Sequence, residues 1–199
     1  MILDPSKVPA SDAYKLLITA VLPRPIAFVS TLSKSGVPNL APFSFFNAFC
    51  GDPPIVGFSP NNNPPKDSLV NAGETGEFVV NIVTEEIAEQ MNLTSPRFPP
   101  EVNEFEIAKL TPAPSTIVKP PRVLESPINL ECKVMQIVEL SKRPEANSLV
   151  IGQVVYFHVS DAVLDERGRI DPLKLKAVAR MGGTAYCRST DIFHMVRPG

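Results

Sequence analysis

The sequence predicts an all-β protein with a few short helices, built as a small antiparallel barrel. Prolines make up 22 of its 199 residues, roughly twice the usual share. Because proline is excluded from central strands and helix interiors, the elements between prolines should be short. Strand-like runs do not alternate with long helical segments, which argues against a parallel α/β sheet. Runs of β-branched and aromatic residues predict six strands, at 26–32, 40–46, 55–59, 78–83, 128–140 and 149–159.

The connection between the first two strands predicts their direction. It reads Ser33-Lys34-Ser35-Gly36, which is typical of a hairpin turn, and Gly36 can adopt a positive φ. We therefore expect an antiparallel pair at the start of the sheet.

Four short helices are predicted from capping residues and from the glycines and prolines that end a helix. Ser11 or Asp12 can cap the first, and Pro23 ends it. Asp67, Thr84 and Asp171 are the expected caps of the other three. The predicted helices cover about 12–20, 67–72, 84–92 and 171–180, the last stopped by Gly182 and Gly183. The proline-rich stretch 96–127 is expected to run over the surface of a single domain spanning 1–199.

Charge and composition exclude several classes of protein. The formal net charge of −2 does not provide the basic field that non-specific nucleic-acid binding requires, so no nucleic-acid partner is expected. No apolar window is long enough to span a membrane, and the N-terminus lacks a secretory profile. Cys50, Cys132 and Cys187 are odd in number and have no CxxC spacing. We therefore expect a cytoplasmic location and neither a disulfide framework nor a zinc site.

Common catalytic signatures are missing. Only two histidines occur, His158 and His194, and there is no HExxH, GxSxG, GxxxxGK[ST] or GxGxxG motif. His158 lies in an apolar strand, where a hydrogen-bonded core or interface role is commoner than catalysis. We predict no catalytic side chain and no metal ligand.

The polar and aromatic segment 38–47 is the first candidate binding site. Strand alternation would place Asn39, Ala41, Phe43, Phe45 and Asn47 on one face and the residues between them on the other. Both faces are mixed, as a planar, partly polar ligand would require. On periodicity alone, an ordinary barrel strand that ends at Asn47 explains the pattern better.

Two further segments could contact a ligand. Segment 59–68 offers Lys66, Ser68 and the free N–H groups of a helix start, which together suit a phosphate, although on its own a proline-rich loop before a capped helix explains it better. In segment 180–186, paired glycines allow close approach of a ligand that Tyr186 could cover. The alternative for that segment is a simple helix stop.

Taken together, and in this order, these segments resemble the flavin reductase-like, FMN-binding split-barrel family. The resemblance covers nearly the whole chain and belongs to the longer, about 200-residue branch of the family. It is carried by Pro-Arg-Pro-Ile-Ala-Phe-Val-Ser-Thr at 23–31 and by segments 39–47, 52–54, 66–68, 76–81 and 181–183.

The resemblance implies a six-stranded antiparallel split barrel, a homodimer and one FMN per subunit near the dimer interface. It places Ser59, Lys66 and Ser68 around the phosphate. The isoalloxazine and ribityl chain would be lined, largely through backbone groups, by Ser30, Thr31, Asn39, Ala41, Pro42, Ser44, Phe45 and Asn47.

The implied activity is that of an NAD(P)H-dependent flavin reductase, which passes electrons from reduced FMN to an acceptor protein or monooxygenase. A flavoredoxin-like FMN electron carrier that does not use NADH or NADPH is the alternative. Pyridoxamine-phosphate oxidase, on a related barrel, fits the motifs less well. Since a flavin accepts hydride at its own N5, either flavin role is compatible with the missing catalytic side chains.

Overall fold

The computed structural model describes residues 1–199 and confirms the mainly β class. No helix in it is both long and apolar enough to cross a membrane. The helices are α1 (Ala10–Ala20), α2 (Asp67–Thr75), α3 (Ala88–Leu93), α4 (Glu104–Ala108) and α5 (Pro172–Leu175). The strands are β1 (Arg24–Pro25), β2 (Ala27–Leu32), β3 (Pro38–Phe43), β4 (Phe46–Gly51), β5 (Pro54–Phe58), β6 (Glu77–Ile82), β7 (Pro112–Ala113), β8 (Arg122–Val123), β9 (Ile128–Glu139), β10 (Ser148–Val159), β11 (Val178–Arg180) and β12 (Tyr186–Arg188).

The main sheet has the strand order β3-β2-β6-β9-β10-β5-β4, with every pair antiparallel. Its two edge strands, β3 and β4, are consecutive in the sequence and are separated only by Ser44 and Phe45. Three residue steps span at most about 11 Å, so the sheet must curve until its edges meet at this corner. The result is the predicted split barrel. The predicted hairpin is confirmed as well, with Gly36 at φ 86° between β2 and β3.

The sheet contains seven strands where six were expected, and the difference arises at segment 38–47. The predicted single strand is broken at Ser44 and Phe45, and the chain continues as the separate strand β4, which pairs with β5. The alternation of side chains between the two faces of the strand therefore holds only as far as Phe43. Beyond the corner, the expected common face of Phe45 and Asn47 with Asn39 does not exist.

Apolar side chains from the main sheet form two clusters, one on each face. Ala27, Val29 and Phe43 belong to the barrel interior, with Phe58 and Phe78 in edge and tilted ring contacts. The second cluster lies on the outer face, where Ile26, Phe28 and Leu40 pack under α3 and α4. Period-two alternation along β2 and β3 explains the division.

Two predictions about the chain outside the barrel were wrong. Segment 96–127 does not simply run over the surface, because it contains α4, β7 and β8, and it buries Phe105 and Val123 in the outer cluster. The helix expected at 171–180 ends after Leu175, and residues 178–180 form β11, which pairs with β1 and β12. Asp171 caps that short helix as expected, accepting a hydrogen bond from the Leu173 N–H.

The other predicted caps also differ from the structure. α1 begins after Pro9 without a side-chain cap, so neither Ser11 nor Asp12 caps it. Lys66, not Asp67, occupies the N-cap of α2, and this helix runs three residues past its predicted end to Thr75, followed by the C-cap Gly76 at φ 73°. Thr84 precedes a 3₁₀ turn, Glu85–Ile87, but makes no capping hydrogen bond.

Candidate functional site

A buried polar network joins β2, β3, α2 and α4. Asn39 is at its centre: its Oδ1 accepts hydrogen bonds from Ser68 Oγ at 2.7 Å and Thr31 Oγ1 at 3.3 Å. Asn71 Nδ2 donates to Thr31 Oγ1 at 3.1 Å. All four residues are buried. The structure thus brings the predicted site residues Thr31, Asn39 and Ser68 together, with their side-chain atoms bonded to one another.

Glu104 closes this network from the side of α4. Its carboxylate accepts from Asn39 Nδ2 at 2.7 Å and from the Leu40 N–H at 2.9 Å. Burial raises the pKa of Glu104, although these hydrogen bonds partly oppose the shift. The sequence analysis missed Glu104 because it lies 65 residues from Asn39 in a segment interpreted as surface loop.

Ser59 and Ser30 are also buried, but they do not lie together. Ser59 Oγ donates to the Ser148 carbonyl at 3.0 Å, and its N–H donates to the Phe45 carbonyl at 2.8 Å. Ser59 therefore holds the predicted phosphate loop between β10 and the β3–β4 corner. Ser30 Oγ donates to the Pro121 carbonyl at 2.5 Å, so its side chain points away from the other site residues, towards segment 114–123.

The start of α2 presents positive charge and free donors. Lys66 is partly buried, and its Nζ makes no hydrogen bond or ion pair within the chain. Burial lowers the pKa of Lys66 and the nearby positive charge of Arg97 lowers it further, while the carboxylates of Asp67 and Glu104 partly oppose the shift. The Asp67 and Ser68 N–H groups have no main-chain acceptor, as expected for the first turn of a helix. Two cations and two free N–H groups thus lie at one end of α2.

The loop before α2 contains a buried acceptor without a donor. Asn62 Nδ2 donates to the Ser141 carbonyl at 3.0 Å and to Ser148 Oγ at 3.2 Å. Its Oδ1 is buried and has no partner. A hydroxyl group of a ligand would supply the missing donor.

The β3–β4 corner carries the remaining predicted site residues. Ala41 is buried in the barrel interior, while Pro42, Ser44 and Phe45 are half-buried. Asn47 is exposed, and its Oδ1 accepts a hydrogen bond from the Ala48 N–H at 2.9 Å. This local hydrogen bond matches the structural alternative for Asn47, but it leaves the amide N–H₂ free for a ligand.

Pro42 and Ser44 line a cavity of about 360 Å³ between β3, α1 and the β11–β12 hairpin. Arg24 forms its base. The guanidinium of Arg24 donates to the carbonyls of Ile18, Val21 and Met181, and Nε lies 3.4 Å from Ser44 Oγ. Arg24 thereby fixes the end of α1 and the start of the hairpin against the corner.

A larger cavity, of about 670 Å³, lies around His158 at the far end of β10. His158 Nε2 contacts Glu131 Oε1 at 2.6 Å, and this carboxylate also accepts from the N–H groups of Thr116, Ile117 and Val118. Burial acts to raise the pKa of Glu131, but the four hydrogen bonds outweigh it and the pKa is lowered. Ten residue steps along β10 separate His158 from Ser148, or roughly 33 Å of strand. His158 therefore lies outside the candidate site.

The family model for the flavin reductase like domain matches residues 19–175 of the chain. The chain belongs to the flavin reductase-like family. Nitrilotriacetate monooxygenase component B from Bacillus cereus is 37% identical, with a TM-score of 0.93 over 98% of each chain. The 2-nitrobenzoate 2-nitroreductase NbaA from Pseudomonas fluorescens is 34% identical, with a TM-score of 0.88 over 100% of this chain and 96% of its own. An uncharacterised protein from Halalkalibacterium halodurans is 43% identical over 100% of this chain and 97% of its own.

Family membership confirms the resemblance seen in the sequence. In this flavin reductase-like protein, Lys66, Ser59 and Ser68 lie in or beside the loop before α2, and Pro42, Ser44 and Phe45 lie at the β3–β4 corner. The Ser59 N–H to Phe45 carbonyl hydrogen bond connects the two groups directly. Arg24, Arg97 and Arg180 are additional charged residues of this region; Arg24 and Arg180 lie within segments singled out in the sequence, but none of the three was predicted to be a site residue.

Proposed function

We propose that this protein binds FMN and acts as an NAD(P)H-dependent flavin reductase that supplies electrons to an acceptor. The observation that carries the proposal is the combination of Lys66, Arg97 and two free N–H groups at the start of α2. Adjacent positive charges repel each other, and a dianionic phosphate between them would relieve that repulsion. Residues 1–199 form the proposed functional unit.

The residues present fit FMN at both ends. Lys66 and the α2 N–H groups would hold the phosphate, and Asn62 Oδ1 would accept a hydrogen bond from a ribityl hydroxyl. Pro42, Ser44 and Phe45 would contact the isoalloxazine at the corner. The side chains of Thr31, Asn39 and Ser68 already bond to one another, so we infer that they shape the site and contact the ligand through backbone atoms.

When bound, FMN supplies hydride acceptance at N5 and the onward transfer of electrons. The protein's own contribution is to bind and orient. Ser59 holds the loop before α2 against the corner, and Arg24 holds Ser44 against α1. No acidic or basic side chain is required at the reacting atom, which agrees with the sequence analysis.

Two of the structural neighbours support a role in electron transfer. One, 37% identical, is a monooxygenase component, and the other, 34% identical, is a nitroreductase. We infer that this chain also transfers electrons onward, to a protein acceptor such as a monooxygenase or to a small molecule. A reducing, cytoplasmic environment fits its three free cysteines.

We further propose that the protein is a homodimer. Helix α1 buries none of its residues; Leu17 within it and Val21 just after it are about half exposed. Phe193, Met195 and Val196 at the C-terminus are exposed as well. A second copy would cover this apolar surface, which lies beside the corner. Sedimentation velocity should give twice the 21.6 kDa chain mass, and a monomer at micromolar concentration would contradict the dimer.

Anaerobic reduction tests the proposed activity. Purified protein loaded with FMN is mixed with NADH or NADPH, and flavin absorbance near 450 nm is followed. The proposal predicts bleaching within seconds to minutes by at least one nicotinamide. Protein that binds FMN but is bleached only by dithionite would instead be a flavoredoxin-like electron carrier.

A further inference from the structure

The 360 Å³ cavity beside the corner has an unusual charge distribution. Two arginines line it, Arg24 and Arg180, and they are directly paired across β1 and β11. No aspartate or glutamate lines it, and neither arginine takes part in a salt bridge. Two arginines therefore lie in the wall of one small cavity that has no acidic side chain.

The two arginines differ in the donors they have left. Arg24 is 5% exposed, and its N–H groups are taken up by three carbonyls and Ser44 Oγ. Arg180 is partly exposed and makes one side-chain hydrogen bond, from Nη2 to the Gly183 carbonyl at 2.5 Å. A guanidinium group has further donors in a planar fork that matches a carboxylate. Arg180 is thus able to bind an anion, while Arg24 adds positive charge behind it.

The walls of the cavity suit a flat apolar body. Arg180 lies over the ring of Tyr186, 4.5 Å from its centroid, and the Tyr186 hydroxyl donates to Asn92 Oδ1 at 3.2 Å. Tyr14 from α1 forms a second aromatic wall, and Met91 adds an apolar surface. The volume is at the lower end of the range for ligand sites, enough for one substituted ring.

We propose that this cavity binds a small aromatic carboxylate, with its carboxylate on Arg180 and its ring between Tyr14 and Tyr186. This inference rests on the proposed function, because Pro42 and Ser44 belong both to the cavity wall and to the proposed isoalloxazine site. The bound acid would lie beside the flavin as a second substrate, in which a reducible substituent on the ring, and not the carboxylate, would accept a hydride from reduced FMN and a proton from solvent. The lining of the cavity thereby indicates that, if the electron acceptor is a small molecule, it is anionic and planar.

Benzoate and its neutral analogue benzamide test the proposal. Binding of each to FMN-loaded protein is measured by calorimetry at pH 7, and the flavin absorption difference spectrum is recorded in parallel. Benzoate should bind at least tenfold more tightly than benzamide and perturb the flavin spectrum. Equal binding of the two, or no benzoate binding at 10 mM, would overturn the proposal.

Two variants separate Arg180 from general charge effects. Arg180→Gln should weaken benzoate binding about ten- to a hundredfold and leave FMN affinity within twofold of the parent. Arg188→Gln is the matched control, since Arg188 lies on the neighbouring strand β12, outside the cavity, and pairs with Glu85. Arg188→Gln should change neither the benzoate affinity nor the FMN affinity. Equal weakening of benzoate by both variants would contradict a specific role for Arg180.

The test also distinguishes failure of this inference from failure of the proposed function. If Arg180→Gln loses FMN and benzoate together, the cavity holds the flavin itself and the second-substrate assignment is wrong. If the parent protein binds no FMN, the proposed function fails, and the assignment of a second substrate fails with it. Benzoate binding to that protein, lost only in Arg180→Gln, would then establish an anion pocket of another function.

Discussion

Two pairs of positively charged side chains in this protein are built differently. At the start of α2, Lys66 has no partner within the chain, and Arg97 donates to the Pro64 carbonyl at 3.0 Å from an exposed position. At the base of the cavity, Arg24 is buried and its donors are used, while Arg180 keeps donors free. The two pairs therefore differ in the number of donors left after folding, and we expect the side chains that keep free donors to be the ones that bind a ligand.

Of these four side chains, Arg24 is the one whose removal should lower the folding stability most. Two of its acceptors, the Ile18 and Val21 carbonyls, belong to the end of α1, where carbonyls lack helical partners. Arg24→Met would leave them and Met181 without a donor and should lower the free energy of unfolding by about 3 kcal/mol. Urea denaturation of the apoprotein measures this. Arg180→Met is the matched control and should lower the free energy of unfolding by less than about 1 kcal/mol. Equal losses in the two variants would contradict the assignment of a structural role to Arg24 alone.

Arg97 should have a smaller, ligand-specific effect. Its charge lowers the pKa of Lys66 and adds to the field at the proposed phosphate position. Because the side chain is exposed, Arg97→Met should weaken FMN binding by only about three- to fivefold, near 1 kcal/mol, and leave riboflavin binding unchanged. Calorimetry with the two flavins decides this. A loss shared by both flavins would mean that Arg97 acts on the fold.

The smallest effect expected is a pH dependence that originates in Glu104. Since its folded-state pKa is raised above the ordinary value of 4.5, the carboxyl contributes stability that is present below pH 4.5 and lost as the pH rises through the folded-state pKa. Glu104→Gln removes this titration. The difference in unfolding free energy between parent and variant should therefore shift against the parent from pH 4 to pH 7. A difference that moves in the parent's favour over that range would show that Glu104 is not destabilised by burial.

The barrel could be predicted from sequence because its strands are local signals. Each predicted strand, and the turn at Gly36, is indicated by residues that are neighbours in the sequence, and the order of the motifs along the chain indicated the family. The network around Asn39 could not be predicted, because its partners Ser68 and Glu104 come from segments 29 and 65 residues away. Nothing in the local pattern distinguishes a buried glutamate from an exposed one. The pairing of Arg24 with Arg180 could not be predicted for the same reason, since β1 and β11 meet only in the folded chain.

The corner at Ser44 and Phe45 shows how tertiary structure overrides alternation. Residues 38–47 read as one strand, yet the chain turns there because the two sheet edges meet. The Phe45 carbonyl accepts a hydrogen bond from the Ser59 N–H instead of continuing the β3 ladder. The predicted flavin segment is thus divided between a buried strand, an exposed strand and the corner between them.

The central claim, that Lys66 anchors the phosphate of FMN, is tested most directly by comparing FMN with riboflavin. Lys66→Met removes one charge-assisted contact and should weaken FMN binding about ten- to a hundredfold, while riboflavin binding stays within twofold of the parent. Lys7→Met, an exposed lysine near the N-terminus, is the control and should change neither affinity. Fluorescence quenching titrations give, for each of the two variants and each of the two flavins, the ratio of its Kd to that of the parent. Equal loss of FMN and riboflavin in Lys66→Met, or no loss of either, would contradict the account.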